Sequence, residues 1–322
     1  MDRKGFTNYL SGRNTPEDKI GIYLVVAEQF ESKRALSSSW IEPAEISAFS
    51  QELIKRSENS WDNYIGLVRY TQFTENWDAF EKVIELLDGS EVMDNLHRKT
   101  GDILGENNRA RIFDGIQLPE LGTRPEEKPA LTGIVMQRLE LVANKEQCRE
   151  ILSDCLRDLP DEDYMEERRK YLDCASLEEY LELRKMEFTA ELEKIRDQGG
   201  LFYTQKVTDE VIEFVRSSPE IGGGVRKGDI VYQTKIPYKT AEWLVESDEN
   251  LKKYYYCHCP WVREAFRAGK INIPSTFCNC SAGFMKKPFE VMFGRKLKAE
   301  MVQTVLGGDP WCRAAIYLPE GA

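Results

Sequence analysis

The chain has 322 residues, room for about two ordinary domains. Apolar residues make up 41% and charged residues 31%, which excludes a disordered chain, and no apolar run approaches the ~20 residues of a membrane span. The net charge of −11 repels phosphate backbones and anionic lipid, so neither nucleic acid nor a membrane surface is an expected partner.

The first residues, Met1 to Leu10, carry two cations with no apolar stretch behind them and do not read as a secretory signal. A cytoplasmic location is expected, where thiols stay reduced and the eight cysteines form no disulfide scaffold.

Residues up to about 120 read as helices. Pro16-Glu17-Asp18 opens one in which Ile20, Tyr23, Leu24, Ala27 and Phe30 recur at helical spacing, and Glu42-Pro43 opens a second carrying Ile46, Phe49, Leu53 and Ile54. Ser60 caps a third with Trp61, Tyr64, Ile65 and Val68. A fourth runs from about Asn76 to Leu87 and stops at Gly89. These apolar residues are read as core.

Pro119, Gly122, Pro125 and Pro129 are dense punctuation and mark an expected domain boundary. Helices follow near 130–140, 145–158 and 161–172, then a long charged one over 176–197 that ends at Gly199-Gly200. Cys148 and Cys155, seven apart on one expected helix face, are read as packing residues, as is Cys174. Beyond Gly200 the pattern mixes. A short strand is expected at 201–204, a helix capped by Thr208, and a strand at 230–236. A terminal hairpin is expected from Leu297–Leu306 and Trp311–Leu318, joined through Gly307-Gly308-Asp309-Pro310.

The expected fold is therefore α+β: an all-helical N-terminal domain, 1–122, followed by a helix-rich α+β C-terminal domain, 123–322, with a terminal β-hairpin. The second domain divides into a helical lead-in, 130–198, and an α+β core, 200–322.

Five cysteines lie in the last quarter, four of them in two pairs: Cys257-His258-Cys259 and Cys278-Asn279-Cys280. Aromatic residues before each pair suggest extended backbone, on which positions i and i+2 share a face, so two such segments would bring four sulfurs together. The metal set expected is Cys257, Cys259, Cys278 and Cys280, with zinc as the ion. The roughly 7 Å between alternate Cα atoms of a strand must shrink toward the roughly 3.8 Å between sulfurs on tetrahedral zinc.

The competing reading is nucleophilic. Pro260 fits the first position of a helix carrying Val262, Ala265 and Phe266. Cys259 at its start would then feel the exposed amides that favour thiolate. Cys280 precedes Ser281-Ala282-Gly283, a small-residue segment suited to an anion nest. His258, one of two histidines, is the acid/base candidate, and Cys312 joins the catalytic set if the hairpin overlies the pairs. The catalytic candidates are thus His258, Cys259, Cys280 and Cys312; inert packing of all five cysteines is the bland alternative.

Gly222-Gly223-Gly224 with Arg226 and Lys227 resembles a phosphate cradle in composition only, because the glycines precede a strand rather than a helix. No nucleotide or flavin motif is present.

The last ~120 residues resemble the small-molecule-binding domains of the 4-vinyl reductase type and of the L-2-amino-thiazoline-4-carboxylate hydrolase family. The resemblance rests on Cys278-Asn279-Cys280, Phe289 to Gly294, and Gly308-Asp309-Pro310-Trp311-Cys312-Arg313. It implies a compact α+β fold with a ligand pocket near Cys278, Cys280 and Cys312. The pair at 257–259 departs from that pattern.

Phe6, Tyr9, Leu10 and the stretch from Asn59 to Tyr70 resemble the helical core-binding domain of tyrosine recombinases, though the acidic charge argues against DNA. The whole chain also resembles an uncharacterised bacterial family. The expectation is a cysteine- or zinc-dependent hydrolase acting on a C–N or C–S bond, or else a non-catalytic sensing module for a small molecule or metal with a structural four-cysteine zinc site. The expected partner is a small-molecule ligand, with a homo-oligomer as a further option.

Overall fold

The computed structural model describes residues 1–34 and 40–321. The chain forms two compact units. The first, Met1–Ser90 with Gln117–Lys128, is helical. Its helices are α1 (Arg3–Gly12), α2 (Glu17–Lys33), α3 (Pro43–Lys55), α4 (Trp61–Phe73) and α5 (Trp77–Leu87).

Most begin where the sequence supplies a cap. Asp2 accepts from the Gly5 amide, Ser60 accepts from the Asn63 amide, and the Glu45 carboxylate accepts from the Glu42 amide at 3.0 Å. The periodic residues meet in one core around Phe6, Tyr23, Ala27, Phe30, Phe49 and Leu67. The Pro/Gly stretch at 118–129, where the sequence suggests a boundary, packs back on this unit. The Ser50 hydroxyl bonds the Tyr64 hydroxyl at 2.6 Å and donates to the Gly122 carbonyl at 2.8 Å.

The second unit is Glu91–Ile116 with Pro129–Ala322. It opens with α6 (Val92–Leu104) and α7 (Glu106–Phe113), continues through α8 (Lys128–Val142) and α9 (Lys145–Ser153), and then α10 (Met165–Asp173) and α11 (Leu177–Asp197). Beyond these come β1 (Leu201–Phe202), β2 (Gln205–Lys206), α12 (Asp209–Ser217), β3 (Val225–Lys227) and β4 (Ile230–Thr234). Four helices follow, α13 (Thr240–Val245), α14 (Glu249–Tyr256), α15 (Arg263–Arg267) and α16 (Asn279–Phe293), before β5 (Lys298–Gln303) and β6 (Arg313–Tyr317). This is the expected helix-rich α+β fold with its terminal hairpin.

β1 and β2 pair antiparallel; the main sheet is antiparallel in the order β3-β4-β6-β5. Its register puts Val231 and Ala299 on either side of Ile316, and these three pack against Ala282, Phe289 and Met292 of α16 and Leu177, Tyr180 and Leu181 of α11.

Two glycines are set by close approach. A Cβ on Gly223 would stand 2.3 Å from the Leu181 carbonyl oxygen, which gives the 222–224 cluster a packing role against α11. A Cβ on Gly283 would stand 2.8 Å from both the Ser153 oxygen and the Cys155 nitrogen, so only glycine lets α16 lie against that segment. α9 ends at Ser153, and Cys155 lies beyond it at φ +43°, off the helix face it was expected to share with Cys148. No described helix is long and apolar enough to cross a membrane.

One buried ion pair anchors α16 to the edge of the sheet. Lys286 and Glu290 meet at 2.7 Å with side chains only 5% and 6% exposed. Lys286 also donates to the Leu297 carbonyl at 2.7 Å, and Glu290 accepts from the Leu297 amide at 2.9 Å. Removing one partner strands the other charge. Lys286→Met is therefore expected to lower the unfolding free energy by about 3–5 kcal/mol in urea titration, and Lys286→Met combined with Glu290→Leu to recover most of that loss. Equal losses in the single and double variants would mean the pair contributes through shape alone.

Candidate functional site

The two cysteine pairs do not sit on strands. Asp248 accepts from the Asn250 and Leu251 amides and starts α14, so Tyr254-Tyr255-Tyr256 is helical and Cys257 is the residue that caps the helix. The expected helix opening at Pro260 is also corrected. The Cys259 carbonyl accepts from the Val262 and Arg263 amides in a turn, and α15 starts only at Arg263 with five residues. Cys259 therefore gains nothing from a helix start.

Cys278 ends a 3-10 turn, Ser275–Cys278, and caps α16, within which Cys280 is the second residue. Ser281, Ala282 and Gly283 belong to that helix, with Ala282 fully buried and Gly283 against the 153–155 backbone, so they form no anion nest. Aromatic residues near each pair point to strand by propensity; capping and burial of Tyr256 and Phe277 override it.

On this different backbone, the segments that carry the cysteines still pack near one another through the Val305–Gly307 turn. Cys278 feels Cys312, Cys257 and Cys259 electrostatically; Cys257 feels Cys259 and Cys312; Cys280 feels Cys259 and Cys155. The Val305–Gly307 turn packs on both α14 and the Ser275–Cys278 turn, closing the site from the hairpin side. Cys312 enters just before β6. Its amide donates to the Tyr256 hydroxyl at 3.1 Å, and its carbonyl accepts from the Lys235 amide at 3.0 Å.

Cys259 and Cys312 thus raise the cost of ionising both Cys257 and Cys278, while Cys259 and Cys155 raise that of Cys280. Cys155 is a neighbour that its sequence spacing did not reveal. Among the described residues, no three His, Cys, Asp or Glu side chains stand in an arrangement that would hold a metal ion as they are placed.

Burial decides the protonation of these thiols. Desolvation, aided by the neighbouring sulfurs, pushes Cys257 and Cys278 well above the ordinary thiol range. Cys280 is pushed up to about 12 by burial and Cys259, against the opposing pull of Arg157 and Lys235. Burial raises Cys312 as well, despite the Val305 backbone bond and Lys235. The start of α16 would favour thiolate, but exclusion of water from the sulfurs outweighs it.

His258 is held at Nε2 by the Ile236 carbonyl at 2.7 Å, and its ring packs edge-on to Tyr238. A carbonyl only accepts, so Nε2 carries the proton and is engaged. Of the other cysteines, Cys148 is buried and Cys174 sits half-buried against the α11 core.

The raised thiol pKa values have a sign. A thiol protonated in the folded chain and ionised in the unfolded one stabilises the fold fully below the ordinary thiol pKa. That stability is lost as pH rises toward the folded value. For Cys280 the window runs from about 9 to about 12. The unfolding free energy of the native chain should fall across it more steeply than that of Cys280→Ala, by at most about 1.4 kcal/mol per pH unit. Denaturant titrations at pH 7, 9 and 10 measure the difference. Parallel pH profiles would contradict a buried neutral Cys280.

Residues 224–321, which include all five clustered cysteines, match a family of unknown function (DUF6144). No curated protein and no solved structure matches the chain. Nothing in these comparisons supports the likeness to the L-2-amino-thiazoline-4-carboxylate hydrolase or 4-vinyl reductase-type domains; the C-terminal part of the chain is similar to a family without an assigned activity.

Proposed function

We propose that the second unit is a binding module whose thiol centre takes one soft metal ion, zinc being the candidate, on Cys257, Cys259, Cys278 and Cys312. What supports this reading is that the segments carrying Cys257, Cys259 and Cys278 pack around the Val305–Gly307 turn, which touches both α14 and the Ser275–Cys278 turn, and that Cys312 follows that turn on the approach to β6. Protonated thiols can pack together as small apolar groups; a soft cation would add to that packing by bonding the sulfurs as thiolates. The ion would reverse the pKa effect, since each thiol gives up its proton to solvent as the sulfur bonds the metal.

The sulfurs must draw in to do so, by rotation of side chains at the ends of α14, the Ser275–Cys278 turn and the β6 approach. Zinc–thiolate binding, worth roughly 10–16 kcal/mol in small zinc domains, is ample for that adjustment.

The same geometry weighs against hydrolysis. A cysteine hydrolase needs a thiolate, whereas burial pushes the pKa of Cys257, Cys278, Cys280 and Cys312 up and disfavours that form. A zinc hydrolase needs an open coordination position, and four thiolates fill the tetrahedron. Sensing or structural binding is therefore the reading favoured over hydrolysis.

The full chain, purified in zinc-containing buffer and analysed by elemental mass spectrometry, should carry about one zinc. Cys312→Ser should lose it and Cys280→Ser should keep it. A chain that neither retains zinc nor competes for it with a weak chromophoric chelator would sink the proposal, as would loss of zinc from both variants alike.

A further inference from the structure

A second feature of this unit lies on the other side of Tyr256. A cavity of about 400 Å³ opens between the end of α12, α13, the end of α14 and the approach to β6. Its walls are the rings of Phe214, Trp243, Tyr256 and Trp311, and Glu220 and Arg313 also line it. Phe214 and Trp243 lie 5.3 Å apart, Trp243 and Tyr256 5.8 Å, so three of the rings form one continuous aromatic wall. Trp311 is 43% exposed, a large ring left without cover on the fourth side.

The polar groups of the cavity are engaged with one another. Arg313 donates to both oxygens of Glu220, at 2.7 and 2.6 Å, and Glu220 accepts a third bond from Thr234 at 2.8 Å. Burial opposes the Glu220 carboxylate, but Arg313 and Thr234 outweigh it and hold its pKa below the usual value, so the pair stays ionised and the cavity is neutral overall. Arg313 itself stacks on Tyr232 at 4.0 Å.

The Trp311 indole N–H donates to Gln303 at 3.2 Å. The Tyr256 hydroxyl donates to the Lys235 carbonyl at 2.7 Å and accepts from the Cys312 amide. What is left to an occupant is ring surface without net charge. Trp243 already carries Lys252, 5.2 Å from its centroid, so the cation–π capacity of that ring is in use.

The cavity is also preformed. Lys185 donates to the carbonyls of Val215, Ser218 and Ile221, fixing the end of α12 and the loop that forms one wall. Its size and aromatic lining, with a few engaged polar groups, are those of a small-molecule site.

We infer that this cavity binds a small, neutral, planar aromatic molecule, held by ring stacking between Trp311 and the Phe214–Trp243–Tyr256 wall. The inference stands independently of the thiol centre, although the two share Tyr256 and the 311–313 segment.

Isothermal titration of the full chain with indole tests it, with cyclohexanol as a non-planar probe of similar apolarity. Indole should bind saturably at about one per chain and more tightly than cyclohexanol. Trp311→Ala, a change at an exposed ring that leaves the core intact, should weaken indole by about tenfold or more. Met186→Ala, an exposed site on α11 away from the cavity, should leave it unchanged. Thermal melts establish that both variants are folded. Absence of saturable indole binding would overturn the inference, as would undiminished binding by folded Trp311→Ala or equal affinity for the two probes.

Discussion

The packing of the cysteine-bearing segments, with Cys257 and Cys312 buried and Cys259, Cys278 and Cys280 half-buried, is the constraint on which the candidate site of the second unit depends. A lone buried cysteine is a small apolar residue and needs no explanation. Here the ends of two helical segments and the approach to a strand converge, so that Cys257, Cys259, Cys278 and Cys312 each raise the cost of ionising another. Burial opposes ionisation of Cys257, Cys278 and Cys312, and a bound cation would remove that opposition. That opposition ties the chemistry of the site to the stability of the unit.

The position of the sulfurs depends in turn on how α16 is seated. Gly283 lets the helix touch the 153–155 backbone, and the Lys286–Glu290 pair ties its far half to Leu297 at the start of β5. Both contacts are intolerant: a methyl group at 283 meets main-chain atoms, and a missing partner at 286 or 290 leaves a buried charge. Cys278 and Cys280 at the helix start are therefore placed by contacts made further along the helix. Tyr256 extends the coupling, with its hydroxyl on the Cys312 amide, its ring on the aromatic cavity and Cys257 next in the chain. A ligand in the cavity and an ion among the thiols would press on the same residue.

The helices of the first unit were legible because each carries its own evidence. Ser60, the Glu42-Pro43 opening and the apolar spacing from Ile20 to Phe30 are local signals, and the structure uses them at those positions. The same holds for Thr208 before α12 and the turn at 307–310. The backbone of the cysteine pairs was misread because aromatic residues favour strands only where a pleated neighbour exists to pack them. Tyr256 and Phe277 instead found burial from helical and 3-10 backbone. Cys155 escaped notice because its nearness to Cys280 comes from a close approach at Gly283, which no spacing encodes.

By itself the sequence determined the α+β class, the capped helices, the terminal hairpin and the suspicion that five late cysteines belong together. All of these follow from short-range patterns of caps, periodicity and residue clustering. Only the tertiary structure decided the backbone at each cysteine, which segments pack around it, and that burial raises the pKa of Cys257, Cys278, Cys280 and Cys312. Those properties depend on what packs around each sulfur, and the surroundings are supplied by segments as distant in the chain as α9 and β6, whose meeting is set by the whole core.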